Sequence, residues 1–275
     1  MLEYLVLAMA PGMFWLWFFW RKDKYEKEPA RYLMITFFLG VVMVIPALIL
    51  EVVFELLFGV STGVPGNIMV GIVEEACKFM AVFLFVYRKS EFNEVVDGII
   101  YAAAAALGFA SLENFFYILK FGPGVMVVRA ILSTLGHVLF ASFWGYSLGV
   151  KKMTGVDTVF IGLISAMGVH AIFNMILEAP YWWVNLLVIP LIIILYKSMS
   201  RKIERSLDES PFKEVIETAA LVKCKACNKY MPRNVQFCPH CGNHVEAAPP
   251  EMKCPKCGAD VLPKSKYCSR CGERI

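Results

Sequence analysis

Residues 32–58 read YLMITFFLGVVMVIPALILEVVFELLF, an apolar run whose charged side chains are Glu51 and Glu55 alone. About 20 mainly apolar residues suffice for a helix to cross a bilayer, so this stretch predicts a transmembrane span. Working outward, the same rule places further spans at roughly 2–20, 68–87, 97–119, 125–150, 157–178 and 181–199. Connectors carrying Gly63, Pro65 and Gly66, or Gly122, Pro123 and Gly124, separate them. The turn near Pro180 is tight enough to leave counts of six or eight open. The chain's 275 residues are 58% hydrophobic and 18% charged, against roughly 45–50% and 25% in soluble domains. An ordinary soluble domain is excluded. Disorder and a general nucleic-acid coat fit neither this composition nor a net charge of +4.

Lys and Arg orient the spans. Arg21, Lys22, Lys24, Lys27 and Arg31 fill the first connector, Arg88 and Lys89 the third, Lys151 and Lys152 the fifth, and Lys197, Arg201, Lys202 and Arg205 follow the last span. The second and sixth connectors have no Lys or Arg, and the fourth has only Lys120. This alternation supports seven spans, with the N-terminus outside and the C-terminus cytoplasmic. Glu3 and the aromatic run through Trp15, Trp17 and Trp20 argue that the first span is a retained helix rather than a signal peptide.

The tail has a different character. Cys224, Cys227, Cys238 and Cys241 are spaced C-x2-C-x10-C-x2-C, and Cys254, Cys257, Cys268 and Cys271 repeat that spacing thirty positions on. Each C-x2-C turn aims two thiolates at one point, and two turns complete a tetrahedral S4 site suited to zinc. A disulfide framework is the other reading, and a reducing cytoplasm disfavours it. The tail is therefore expected to be two zinc ribbons holding two structural Zn2+, with His240 and His244 as bystanders. Modules this small draw most of their folding free energy from the metal. The expected organisation is a membrane body at 1–199, a linker at 200–222, ribbons at 223–243 and 253–275, and a linker at 244–252. Closed S4 sites point to a cytoplasmic protein partner, and nucleic acid is not expected as one.

Titratable groups inside a bilayer are costly and mark function by default. The third span carries Glu74, Glu75 and Lys78, the fourth Glu113, the fifth His137, and the sixth His170 with Asn174. At about 1.5 Å of rise per residue, Glu74, Glu75, Glu113 and His170 lie roughly 9–12 Å in from the outer ends, and His137 roughly 18 Å. Four consecutive helices thus share a polar layer in the outer half. Glu74 and Lys78, like His170 and Asn174, are four apart and share a helix face. Gly108 permits close approach of a neighbouring helix. Carboxylates and imidazoles at one depth suit metal ligation or metal-free activation of water. From the residues alone proteolysis, transport and a structural polar network all stay open. Glu51, Glu55 and Arg129 read as a structural ion pair or snorkelling groups, and Cys77 as packing.

The ordered set Lys24-Tyr-Glu-Lys-Glu-Pro29, Glu74-Glu-Ala-Cys-Lys78, Asp97-Gly98, Gly108-Phe-Ala-Ser-Leu-Glu-Asn114, Gly136-His137 and His170-Ala-Ile-Phe-Asn174 resembles the PrsW family of intramembrane proteases, related to CAAX prenyl endopeptidases. The resemblance covers about residues 20–180, and the zinc tail lies outside that pattern. It implies an all-α polytopic enzyme that hydrolyses a peptide bond of a membrane-anchored protein near the extracytoplasmic face. Carried onto this chain, it implies Glu74 as general base, positioned with Glu75 and Glu113. His137 and His170 would bind metal or polarise the scissile carbonyl, Asn174 would donate to the oxyanion, and Lys78 would balance the carboxylates. Glu75, Glu113, His137 and His170 are the candidate ligands of a catalytic Zn2+, and a metal-free site stays open. A membrane scaffold working through its ribbons and an ion-coupled transporter are the alternatives.

Overall fold

The computed structural model describes residues 1–213 and, in the tail, 221–227, 230–232, 237–238, 241–244, 252–258, 260–261, 270–271 and 273–274. Helices account for the membrane body: α1 (Leu2–Trp20), α2 (Ala30–Phe58), α3 (Gly63–Phe85) and α4 (Val95–Phe121). They continue as α5 (Met126–Arg129), α6 (Ser133–Thr154), α7 (Val159–Glu178), α8 (Trp182–Asn185) and α9 (Val188–Asp208). Every expected span has its helix. α1, α2, α4, α7 and the α8–α9 stretch are long and apolar enough to cross a membrane, and the segment through α5 joins α6 as a sixth, bent by 44°. α3 is 23 residues long, and the charges of Glu74, Glu75 and Lys78 in its middle set it apart from these. Large apolar side chains left exposed, among them Ile45, Ile49, Phe160 and Ile194, meet lipid at no cost. Tyr181, Trp182 and Trp183 are exposed at the α7–α8 turn, where an aromatic belt belongs.

α4 is the hub. Almost every residue from Val96 to Ser111 is buried, including the run Ala102–Ala106, so small side chains admit neighbouring backbones on several sides. A methyl group added at Gly98 would lie 2.1 Å from the Gly145 carbonyl oxygen of α6, and one at Gly108 only 1.8 Å from the Phe37 oxygen of α2. Close backbone approach between small residues is how membrane helices associate without a hydrophobic driving force. The expectation for Gly108 is borne out. Cys77 packs with Val44, Ala47 and Phe109, as a small core residue should.

The connector between α1 and α2 folds inward. Trp20 donates its indole N–H to the Glu28 carbonyl, and Tyr101 of α4 donates its hydroxyl to the Glu28 carboxylate. Burial, then the neighbouring Asp97 and Glu94, pushes the Asp23 carboxyl up to about 8, and burial followed by Asp97 pushes Glu28 up to about 10. Glu94 and Asp97 form a capping box that starts α4.

The compact units are Met1–Ser210 and Pro211–Ile275, and α9 runs on to Asp208 through the first part of the expected linker. Within the tail, β1 (Leu221–Lys223) pairs antiparallel with β2 (Tyr230–Pro232), and β3 (Met252–Lys253) with β4 (Asp260–Val261). Cys224, Cys227, Cys238 and Cys241 converge, as do Cys254, Cys257 and Cys271; Cys268 and His240 lie outside the described residues. The Sγ atoms of Cys224 and Cys241 are 3.6 Å apart, and those of Cys227 and Cys238 3.7 Å. A disulfide requires about 2.05 Å, whereas tetrahedral zinc at about 2.3 Å spaces its sulfurs by about 3.8 Å. Cys224, Cys227, Cys238 and Cys241 form no disulfide and stand at zinc spacing. Gly242 and Gly258, each directly after a C-x2-C pair, take φ of 69°, a left-handed turn open to glycine without strain.

Candidate active site

Lys78 organises the intramembrane charges. Its Nζ lies 2.9 Å from Glu74 Oε2, 2.9 Å from Glu75 Oε1 and 2.9 Å from His137 Nδ1. An ammonium has three donors and no acceptor, so all three N–H bonds are used and His137 Nδ1 must accept. The proton of His137 then resides on Nε2, which faces Glu113 Oε2 at 2.8 Å. The face of Phe109 covers the ammonium, 4.4 Å away.

Glu74 and Glu75 are neighbours in sequence with different surroundings. Successive residues turn by about 100° around a helix, and that rotation separates them. Glu75 is fully buried. Its Oε1 accepts from Lys78 and sits 3.0 Å from His170 Nδ1, while its Oε2 accepts the Trp144 indole N–H at 3.0 Å. With Nδ1–H of His170 given to Glu75, the His170 Nε2 lone pair is free. It lies 3.8 Å from Glu74 Oε2, as does His137 Nδ1.

Glu74, Glu113, His137, His170 and Asn174 line a cavity of about 560 Å3, while Glu75 and Lys78 stand behind its wall. Glu51, Tyr117 and Arg129 line it too. Its wall residues come from the C-terminal halves of α2, α4 and α7 and the start of α3, so it opens at the end opposite the Lys- and Arg-rich connectors. At the mouth, Asn67 and the Gly63 backbone N–H donate to the Glu178 carboxylate, tying α3 to α7.

His137 joins this layer, rather than lying deeper, because its span is broken. The chain bends between Arg129 and Ser133, so His137 is only about 6 Å along a new helix. The same bend delivers Arg129, 3.1 Å from Glu113 Oε2, with its Nε donating to Asn114 Oδ1 at 2.8 Å and its guanidinium 3.7 Å over the Tyr117 ring. Trp144 is a participant that the sequence does not single out, whereas Arg129, expected as an ion-pair or snorkelling group, pairs with Glu113 at the cavity. A tryptophan in mid-span was a usable signal, since a buried indole N–H needs an acceptor.

Glu74, His137 and His170 each present a donor atom within 4.8 Å of the other two. These three converge, in place of the Glu75, Glu113, His137 and His170 set expected from sequence. Two imidazoles, one carboxylate and a cavity on the remaining side match the donor chemistry of a catalytic zinc. Tetrahedral zinc needs donors about 3.4 Å apart; the two imidazole nitrogens each stand 3.8 Å from Glu74 Oε2 and within 4.8 Å of one another, so a metal draws them in once the Lys78 ammonium moves off Glu74 Oε2 and His137 Nδ1. The residues fit the metal. Glu75 behind His170 supplies the carboxylate–imidazole support that metal-binding histidines use.

Residues 28–198 match the family model described as PrsW family intramembrane metalloprotease, and residues 224–272 match the double zinc ribbon. The chain is similar to Protease PrsW of Bacillus subtilis (strain 168), 31% identical over 209 residues, covering 72% of this chain and 93% of that protein. It is also similar to Protease PrsW of Clostridioides difficile (strain 630), 32% identical over 225 residues, covering 76% and 93%. Protease PrsW of Geobacillus kaustophilus (strain HTA426) is 32% identical over 180 residues, covering 64% and 80%. No solved structure matches the chain.

Proposed function

From membership in the PrsW family of intramembrane metalloproteases, to which this chain belongs, we propose that it cleaves a membrane-anchored protein near the extracytoplasmic face, at the cavity floor formed by Glu74, His137 and His170. The convergence of those three side chains on one open cavity carries the reading. A peptidase of this family acts on a membrane-associated substrate within the bilayer. The face is argued from charge: the cavity mouth lies opposite the basic connectors, which stay cytoplasmic by the positive-inside rule.

Glu74 and Glu113 are the carboxylates that reach the cavity, so they are the groups able to take the proton of an attacking water. The assignment places that role on Glu74, beside the free Nε2 of His170. Asn174, one turn after His170 on the same wall, donates its amide to the developing oxyanion. Glu75 acts through His170 and is a positioning residue, because both its oxygens are occupied. In the metal-free site Lys78 holds Glu74, Glu75 and His137 in register, and Arg129 fixes Glu113. If zinc is bound, Glu74, His137 and His170 would hold it, the proton-accepting role would pass to Glu113 on the same cavity, and the metal would supply an acidified water and a Lewis acid for the carbonyl. The ribbons, closed by four thiolates, take the part of a docking or regulatory module for a cytoplasmic protein.

The test is cleavage of a membrane-anchored substrate by the purified full chain in proteoliposomes, with zinc counted per chain. The expected result is cleavage that His137→Ala abolishes while the protein stays monodisperse in detergent. The expected zinc content is three ions, falling to two in the variant. Wild-type cleavage by His137→Ala would overturn the assignment.

A further inference from the structure

Three carboxylates are buried at the other end of the bundle, where the α1–α2 connector meets the start of α4. Asp23, Glu28 and Asp97 are 0%, 2% and 0% exposed. Each is anchored through one oxygen. Asp23 Oδ2 accepts the Glu28 backbone N–H at 3.2 Å, Glu28 Oε2 accepts the Tyr101 hydroxyl, and Asp97 Oδ2 accepts the N–H groups of Asn93 and Glu94 at 2.7 Å. The second oxygens, Asp23 Oδ1, Glu28 Oε1 and Asp97 Oδ1, are buried and accept from no protein N–H or O–H, and the Glu28 and Asp97 carboxyls stand close enough to hydrogen-bond through a shared proton when no cation is bound. Each carboxylate offers one oxygen such that the three lie within 4.8 Å of one another.

Unpaired buried carboxylate oxygens are costly, and native interiors leave few of them. The nearest basic side chains donate elsewhere: Lys152, which feels the Asp97 charge, gives its ammonium to the Tyr87 and Lys89 carbonyls. Arg21 lies over the Trp17 ring, Lys22 over Phe18 and Lys27 over Trp20, so the connector's positive charge is turned to ring faces.

We propose that Asp23, Glu28 and Asp97 bind a hard divalent cation, Mg2+ or Ca2+, that pins the α1–α2 connector to the N-terminus of α4. The donors are oxygens alone, the preference of these ions, and lack the nitrogen or sulfur that zinc favours. Octahedral Mg2+ at about 2.1 Å and Ca2+ at about 2.4 Å both place oxygen ligands roughly 3–5 Å apart, which the observed spread allows. Three ionised carboxylates neutralise a divalent cation with one negative charge to spare, and their anchored oxygens hold the free ones in place before binding. The site shares no residue with the hydrolytic centre, and α4 joins the two, carrying Asp97 at one end and Glu113 toward the other.

The experiment uses the zinc-loaded full chain in detergent with Tb3+ as probe, excited through nearby Tyr101 and Trp20. The expected result is sensitised emission saturating at one ion per chain and displaced by Mg2+ or Ca2+, whichever competes at lower concentration naming the ion. Asp23→Asn should lose the emission and Glu74→Gln should keep it. Emission that persists unchanged in Asp23→Asn, or that fails to saturate, would overturn the site. Should Asp23→Asn not fold, the wild-type chain decides alone. Its melting temperature should rise with the logarithm of free Mg2+ or Ca2+. A melting temperature indifferent to both ions would mean that the three carboxyls share protons instead, and the proposal would fall.

Discussion

The cysteine tail and the intramembrane site both gather metal-binding side chains, and they do so by opposite routes. In the tail each pair of thiols is three residues apart and each tetrad spans 18 positions, so local hairpins assemble it. In the membrane, Glu74, His137 and His170 come from three helices and nearly a hundred residues of chain. The first cysteine cluster offers four thiols around one point, and the membrane site leaves one side open to a cavity. A closed local site stabilises a fold, whereas an open site on a rigid bundle leaves room for a reacting molecule.

That contrast can be broken most severely at His170. His170→Ala removes a group on the cavity and should lower kcat/KM by about a thousandfold, within the usual range for a group taking part in proton transfer. Activity near wild type in a proteoliposome assay would move the chemistry elsewhere. Glu75→Gln keeps the shape of a positioning group and should cost about 10–100-fold, as supporting partners of functional imidazoles do. Its signature is a shifted pH profile, which a packing defect would not produce. Trp144→Phe removes one donor to Glu75 and should cost about 1–3 kcal/mol of stability through the unsatisfied carboxylate oxygen, measured by thermal unfolding in detergent. Cys227→Ser sharpens the comparison from the other side. It should release one zinc and unfold its ribbon, while cleavage of a substrate that lacks a cytoplasmic domain stays unchanged. Loss of that cleavage would make the tail part of the catalytic unit.

Much of this was legible in the sequence, for reasons that differ by feature. The spans follow from apolar length, the ribbons from cysteine spacing, and the polar layer from counting residues along each helix. The α3 pair of Glu74 and Lys78 follows from helical periodicity and lies at 2.9 Å. Choosing between Glu74 and Glu75 was beyond spacing, because the choice rests on Trp144 and His170, far along the chain. The bend after Arg129 was also hidden, since no proline marks it and straight-helix counting put His137 too deep. Asp23, Glu28 and Asp97 lie in stretches that served only topology and family resemblance. Their shared burial emerges once the connector folds beneath α4.

The central claim is that Glu74 faces the reaction while its neighbour Glu75 supports it from behind. The direct measurement is kcat/KM for Glu74→Gln and Glu75→Gln side by side in the same vesicles, on one membrane-anchored substrate. No cleavage above background is expected for Glu74→Gln and measurable residual cleavage for Glu75→Gln, with both proteins monodisperse. A Glu74→Gln enzyme that cleaves at the wild-type rate would contradict it.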